Sequence, residues 1–119
     1  MELRAKTIFC DIDGTLVKHF PPVNTQNPNH KMTLLDGTLE KLSEWDKLGY
    51  NIILVTGRRE GLRQQTERQL QEAGIIYDSL IMGVGGGARY VINDCKPDGE
   101  PTAFSISLIR NEGIKNIKI

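Results

Sequence analysis

The sequence predicts an α/β fold built on a mainly parallel sheet, with helices packed against it. Three observations carry this reading. Short continuous apolar runs, TIFCDI and NIILV, suit strands buried on both faces. Stretches with apolar residues at helical spacing alternate with them. Polar residues cluster just past the ends of the apolar runs, where parallel sheets hold their ligands.

The elements follow in order. Thr7 to Ile12 reads as the first strand, rich in β-formers. Lys18 to Thr33 holds Pro and Asn and few apolar residues, and reads as an irregular, flap-like insertion spanning 18–33. Leu35, Leu39, Leu42, Trp45 and Leu48 mark a first helix, stopped at Gly49. Asn51 to Val55 is the second strand. Leu62, Thr66, Leu70 and Ala73 mark a second helix, stopped at Gly74. Ser79 to Met82 is a short strand, and Gly83 to Gly87 a flexible turn without the lysine of a P-loop. RYVIN, Arg89 to Asn93, reads as a further strand ending at Asp94. TAFSISLIRNEG reads as a third helix with Gly113 as its stop.

The 119 residues fit a single domain over 1–119. Lys+Arg and Asp+Glu are both 15, a balance that disfavours nucleic acid as a partner. No apolar run approaches the roughly 20 residues of a membrane span, and the N-terminus lacks the apolar stretch of a signal peptide. The expectation is a cytoplasmic protein with Cys10 and Cys95 as free thiols.

Asp11 and Asp13 are two apart in an extended chain, so their side chains point the same way. Such carboxylates repel unless a cation sits with them, and Mg²⁺ suits oxygen ligands. Asp94, at another strand end, would complete the set. Gly14 and Thr15 allow a sharp turn beside them. Thr56 and Gly57 precede a helix, offering a hydroxyl and amides to an anion.

DIDGTL, LVTGR and the segment IND followed by KPD resemble motifs of the haloacid dehalogenase (HAD) superfamily of phosphohydrolases. The resemblance runs from about Ile8 to about Asp98. It implies a three-layer α/β/α, Rossmann-like fold, and a Mg²⁺-dependent phosphomonoester hydrolase working through an aspartyl-phosphate. By resemblance, Asp11 is the nucleophile and Asp13 the general acid and base. Thr56 binds the phosphoryl oxygens, and Asp11, Asp13 and Asp94 hold Mg²⁺. Gly14, Thr15, Gly57 and Arg58 bind substrate. Asp98 forms a D-x-x-x-D pair with Asp94 but reads equally as a turn residue.

The family's usual motif III lysine has no counterpart between Gly83 and Ala88. Arg89, five residues before Asp94, would lie roughly 16 Å away along a strand. Lys96 is therefore the expected catalytic cation, with Arg58 as a second candidate. Without that lysine, a non-catalytic phosphate- and Mg²⁺-binding regulator is an alternative, as is a phosphotransferase.

The chain has no room for a separate cap domain, so it is similar to the capless subgroup. An open site suits a large substrate, or a pocket closed by a neighbouring subunit in a homo-oligomer. The leading substrate class is a small phosphorylated sugar or related metabolite. His19, His30, Lys18 and Lys31 in the flap would meet its polar groups.

Overall fold

The computed structural model describes residues 4–119. Strand β1 (Thr7–Asp11) is followed by a short helix, α1 (Pro22–Thr25), and then by α2 (Thr38–Lys47). Strand β2 (Asn51–Val55), a 3-10 turn (Glu60–Leu62), helix α3 (Arg63–Glu72) and β3 (Ser79–Ile81) complete the regular elements. The strands form one parallel sheet in the order β1-β2-β3. The α/β class and parallel sheet agree with the sequence, and among the described residues no cap domain is evident.

Each strand buries alternate residues. Ile8, Cys10, Ile52, Leu54 and Leu80 enter one core with Leu42 and Trp45 of α2 and Leu70 of α3. The opposite face has no such cover: Phe9 is 63% exposed and Ile81 43%. One helical layer is thus formed of the two expected. Within α2 the buried residues are Thr38, Leu42 and Trp45, while Leu39 and Leu48 face solvent. The helix starts at Thr38 because Leu35 is engaged elsewhere, its amide donating to the Leu16 carbonyl. Gly49 and Gly74, both at positive φ, follow the ends of α2 and α3 as expected.

The flap is pinned down rather than open. The Lys18 amide donates to the Thr33 carbonyl and closes its base. The carbonyls of Thr25 and Pro28 accept from Gln65 and Arg68 of α3. Phe20 meets the His30 ring edge-on, with the Lys18 ammonium over its own ring. Lys18 and His30 therefore pack within the flap.

After Met82 the sequence expectations fail. RYVIN forms no strand, and TAFSISLIRNEG no helix. Residues 89–112 are exposed throughout. A strand needs a partner to satisfy its backbone, and here no sheet neighbour receives RYVIN. The chain instead forms an arm tied across near its tip. Cys95 bridges to Pro101, the Lys96 amide donates to the Glu100 carbonyl, and the Thr102 hydroxyl donates to the Asp94 carbonyl. The chain returns at Ile114, fully buried, where the amides of Ile114 and Lys115 donate to the Asp36 carbonyl. A β-carbon at Gly113 would collide with Asp36 backbone there.

Candidate active site

Asp11 ends β1 and is paired in register with Val55, so Thr56 follows at the same edge of the sheet. Past Asp11 the chain reverses tightly. The amides of Thr15, Leu16 and Val17 all donate to the Ile12 carbonyl, and the Gly14 amide donates to Val17. Gly14 sits at φ 88°, a region costly for any residue with a β-carbon. This turn returns the Thr15 hydroxyl to Asp11, donating to Oδ2 at 3.2 Å.

Asp13 is held by Arg58. Nε and Nη2 donate to the two carboxylate oxygens, each at 2.9 Å, in the planar geometry that matches guanidinium to carboxylate. The pair is largely sequestered, with the Arg58 side chain 7% exposed and Asp13 19%. The remaining nitrogen, Nη1, donates to Gln69 Oε1 at 2.7 Å. Gln69, itself buried, also reaches the Thr25 carbonyl of the flap. One network thus runs from the site carboxylate through α3 to the flap.

Thr56 is 1% exposed. Its amide donates to the Ile81 carbonyl, and its hydroxyl oxygen accepts the Arg58 amide at 3.1 Å. A hydroxyl that accepts there keeps its own hydrogen for another acceptor. Gly57 is required by space, since a β-carbon would come 2.9 Å from the Val84 carbonyl. Beneath the site, burial and the neighbouring Asp11 charge push the Cys10 thiol up to about 12.

The structure brings Asp11, Asp13, Gly14, Thr15, Thr56, Gly57 and Arg58 to one edge. It does not bring Asp94, which lies on the arm: among the described residues no three His, Cys, Asp or Glu side chains gather to hold a metal ion. Lys96 and Asp98 lie in the arm's exposed tip, where the Asp98 carboxylate accepts the Glu100 amide as a turn residue does. The cation beside Asp11 is Arg89, whose Nη1 is 3.3 Å from Oδ1. The expected separation of roughly 16 Å ran from Arg89 to Asp94 along a strand that does not form, and the guanidinium meets Asp11 instead. Arg89 thus joins Lys96 as a candidate for the catalytic cation. Arg58 was expected to bind substrate, and in the structure it grips Asp13. Gln69 was missed altogether; its sequence signal is a polar residue one position from Leu70 on the buried face of α3.

The donor set suits Mg²⁺, which binds through one or two carboxylates and keeps several waters. The Asp11 carboxylate and the Asp13 backbone carbonyl are the oxygens that would hold it, since both Asp13 carboxylate oxygens accept from Arg58.

Among solved structures, the chain is 29% identical to one in the structure of a Pnkp1/Rnl/Hen1 complex, covering 75% of this chain and 32% of that one, with a TM-score of 0.57. It is 32% identical to another from the Pnkp1/Rnl/Hen1 RNA repair complex, covering 71% and 28%, also at 0.57. The chain therefore spans about a third of the length of these relatives. A Vibrio cholerae protein, 18% identical, covers 96% of this chain and 90% of its own at a TM-score of 0.56, and shares the fold. No curated protein sequence matches. Residues 2–83, which hold the whole sheet and both carboxylates, match HAD superfamily subfamily IIIB, acid phosphatase. The chain belongs to the HAD superfamily, within this acid phosphatase subfamily.

Proposed function

We propose that the chain is a Mg²⁺-dependent phosphomonoester hydrolase acting through an aspartyl-phosphate. The observation that carries this reading is the bidentate Arg58–Asp13 pair. It joins the DIDGT and TGR loops, so nucleophile, acid and hydroxyl donor share one edge.

An Asp11 oxygen attacks phosphorus, and the bond to the leaving alcohol breaks. Asp13 gives that alcohol a proton, then takes one from the water that hydrolyses the intermediate. Arg58 positions Asp13, and because both its oxygens accept from the guanidinium, one of those bonds opens for either transfer. The Thr56 hydroxyl donates to a phosphoryl oxygen, with Thr15 and the Gly57 amide beside it. Arg89 occupies the cationic role that a lysine fills in the family, offsetting charge at Asp11. Asp11 and the Asp13 backbone carbonyl would hold Mg²⁺, which when bound would supply further neutralisation of the phosphoryl oxygens.

The substrate class is a small phosphomonoester, phosphorylated sugars included. A second reading, a phosphorylated nucleic-acid end, draws on the 29% and 32% identity to chains from RNA repair complexes. Phosphate release should be measured with Mg²⁺ on sugar phosphates and on end-phosphorylated oligonucleotides in parallel. Turnover confined to oligonucleotides would select the second reading. Release from neither, with Mg²⁺ still bound, would favour the regulatory alternative.

A further inference from the structure

The arm and the uncovered sheet face are two halves of one unmade interface. On the arm, Tyr90, Val91 and Ile92 are 88%, 73% and 96% exposed, and Phe104, Ile106 and Ile109 are exposed on the return limb. The limb FSISL alternates apolar with serine, so Phe104, Ile106 and Leu108 fall on one side of an extended chain. Across the body, Phe9 and Ile81 of the bare sheet face are also exposed, with Ile53 and Val55 half-buried between them. Period-two apolar faces of this kind pack on each other.

The area fits. A folded monomer of 119 residues exposes about 6,400 Å². This chain exposes 8404 Å². The excess of about 2,000 Å² per copy is more than the roughly 800 Å² each partner buries in a standard interface. The radius of gyration, 15.0 Å, likewise exceeds the roughly 13.5 Å of a compact chain this long. Ties near the tip join the two limbs into one unit, and the base of the arm is held at its own body by Arg89 on Asp11 and by the Asn111 amide on the Gly14 carbonyl. A formal net charge of zero leaves two copies with no overall repulsion.

We propose that two copies of this chain exchange arms, the 90–109 segment of each lying on the bare sheet face of the other. Because each copy carries both the arm and the face, a two-fold arrangement closes without leaving either exposed. Asp11 projects from the same side of β1 as Phe9, so the docked arm borders the site. Asp94 and Lys96 travel with the arm to the partner.

The test is sedimentation equilibrium on the full chain, with Ile106→Asp on the arm and Phe9→Asp on the sheet. The wild type should be a dimer. Each substitution should raise its dissociation constant about 30-fold or more, as loss of an interface anchor does. Hydrogen exchange should protect amides 90–92 and 104–109 in the dimer and release them in both variants. Should Phe9→Asp fail to fold, Ile106→Asp decides alone, because Ile106 is exposed in the single chain. A monomeric wild type overturns the proposal, with protected arm amides meaning that the arm covers its own sheet. A dimer untouched by either substitution also overturns it, since the interface then lies elsewhere.

Discussion

Residues 4–82 and residues 83–119 use similar kinds of side chain to opposite effect. In the first region Ile8, Leu54 and Leu70 disappear into one core within a few elements of each other. In the second, Ile92 and Phe104 stand in solvent. Most of the candidate site follows the same division, with Asp11, Asp13, Thr56 and Arg58 in the first region and Arg89 reaching Asp11 from the second. The difference teaches that an apolar run specifies a strand only where a neighbour receives it. NIILV pairs with both β1 and β3, and RYVIN pairs with neither.

The sharpest way to test this division is to remove the proposed nucleophile. Asp11→Asn should lower phosphate release on the order of 10³-fold or more, since the amide cannot form the acyl phosphate. Asp11 is a part-exposed strand end, so the thermal midpoint should move little. Activity surviving this change would place the chemistry elsewhere and undo the comparison.

Stability should divide the same way. Leu54 is fully buried at the centre of the sheet, and Leu54→Ala should cost about 2–5 kcal/mol. Ile92→Ala, measured by denaturant unfolding at concentrations that keep copies apart, should cost less than about 0.5 kcal/mol. Equal losses at the two positions would mean that the arm is packed within the single chain.

The body was legible because its signals are local. DIDGT needs a turn at Gly14, VTGR ends a strand, and Gly49 and Gly74 follow helices whose apolar spacing is local. The arm was misread because its signals depend on a partner. FSISL carries a period of two, and reading it as helix gave too much weight to Gly113 as a stop. Gly113 serves instead to let the returning chain cross Asp36. The Arg58–Asp13 pair joins residues 45 apart in sequence, and no spacing rule reveals such a contact. The same holds for Arg89 and Asp11.

That long-range pair gives a smaller test. Arg58→Lys keeps the charge but not the fork, and leaves Gln69 without its strongest partner. It should cost about 1–3 kcal/mol of stability. It should also lower kcat more than it raises KM, because Asp13 is misaligned while substrate contacts remain. A change in KM alone would return Arg58 to substrate binding.

The two cysteines offer the mildest probe of the two regions. Cys10 is buried in β1 and Cys95 is exposed on the arm, both as free thiols. With its pKa pushed up to about 12 by burial and then by Asp11, Cys10 stays a neutral thiol at pH 8, and the thiolate is the reactive form. A thiol reagent should therefore modify Cys95 quickly and Cys10 only after unfolding. The sign of the linkage follows. The unfolded thiol ionises near 9.0 and the folded one only near 12, so the folded state holds its proton longer. The stabilisation is complete below pH 9 and drains away as pH rises toward 12. Fast labelling of both thiols in the native protein would mean that β1 opens, and that the body is no better closed than the arm.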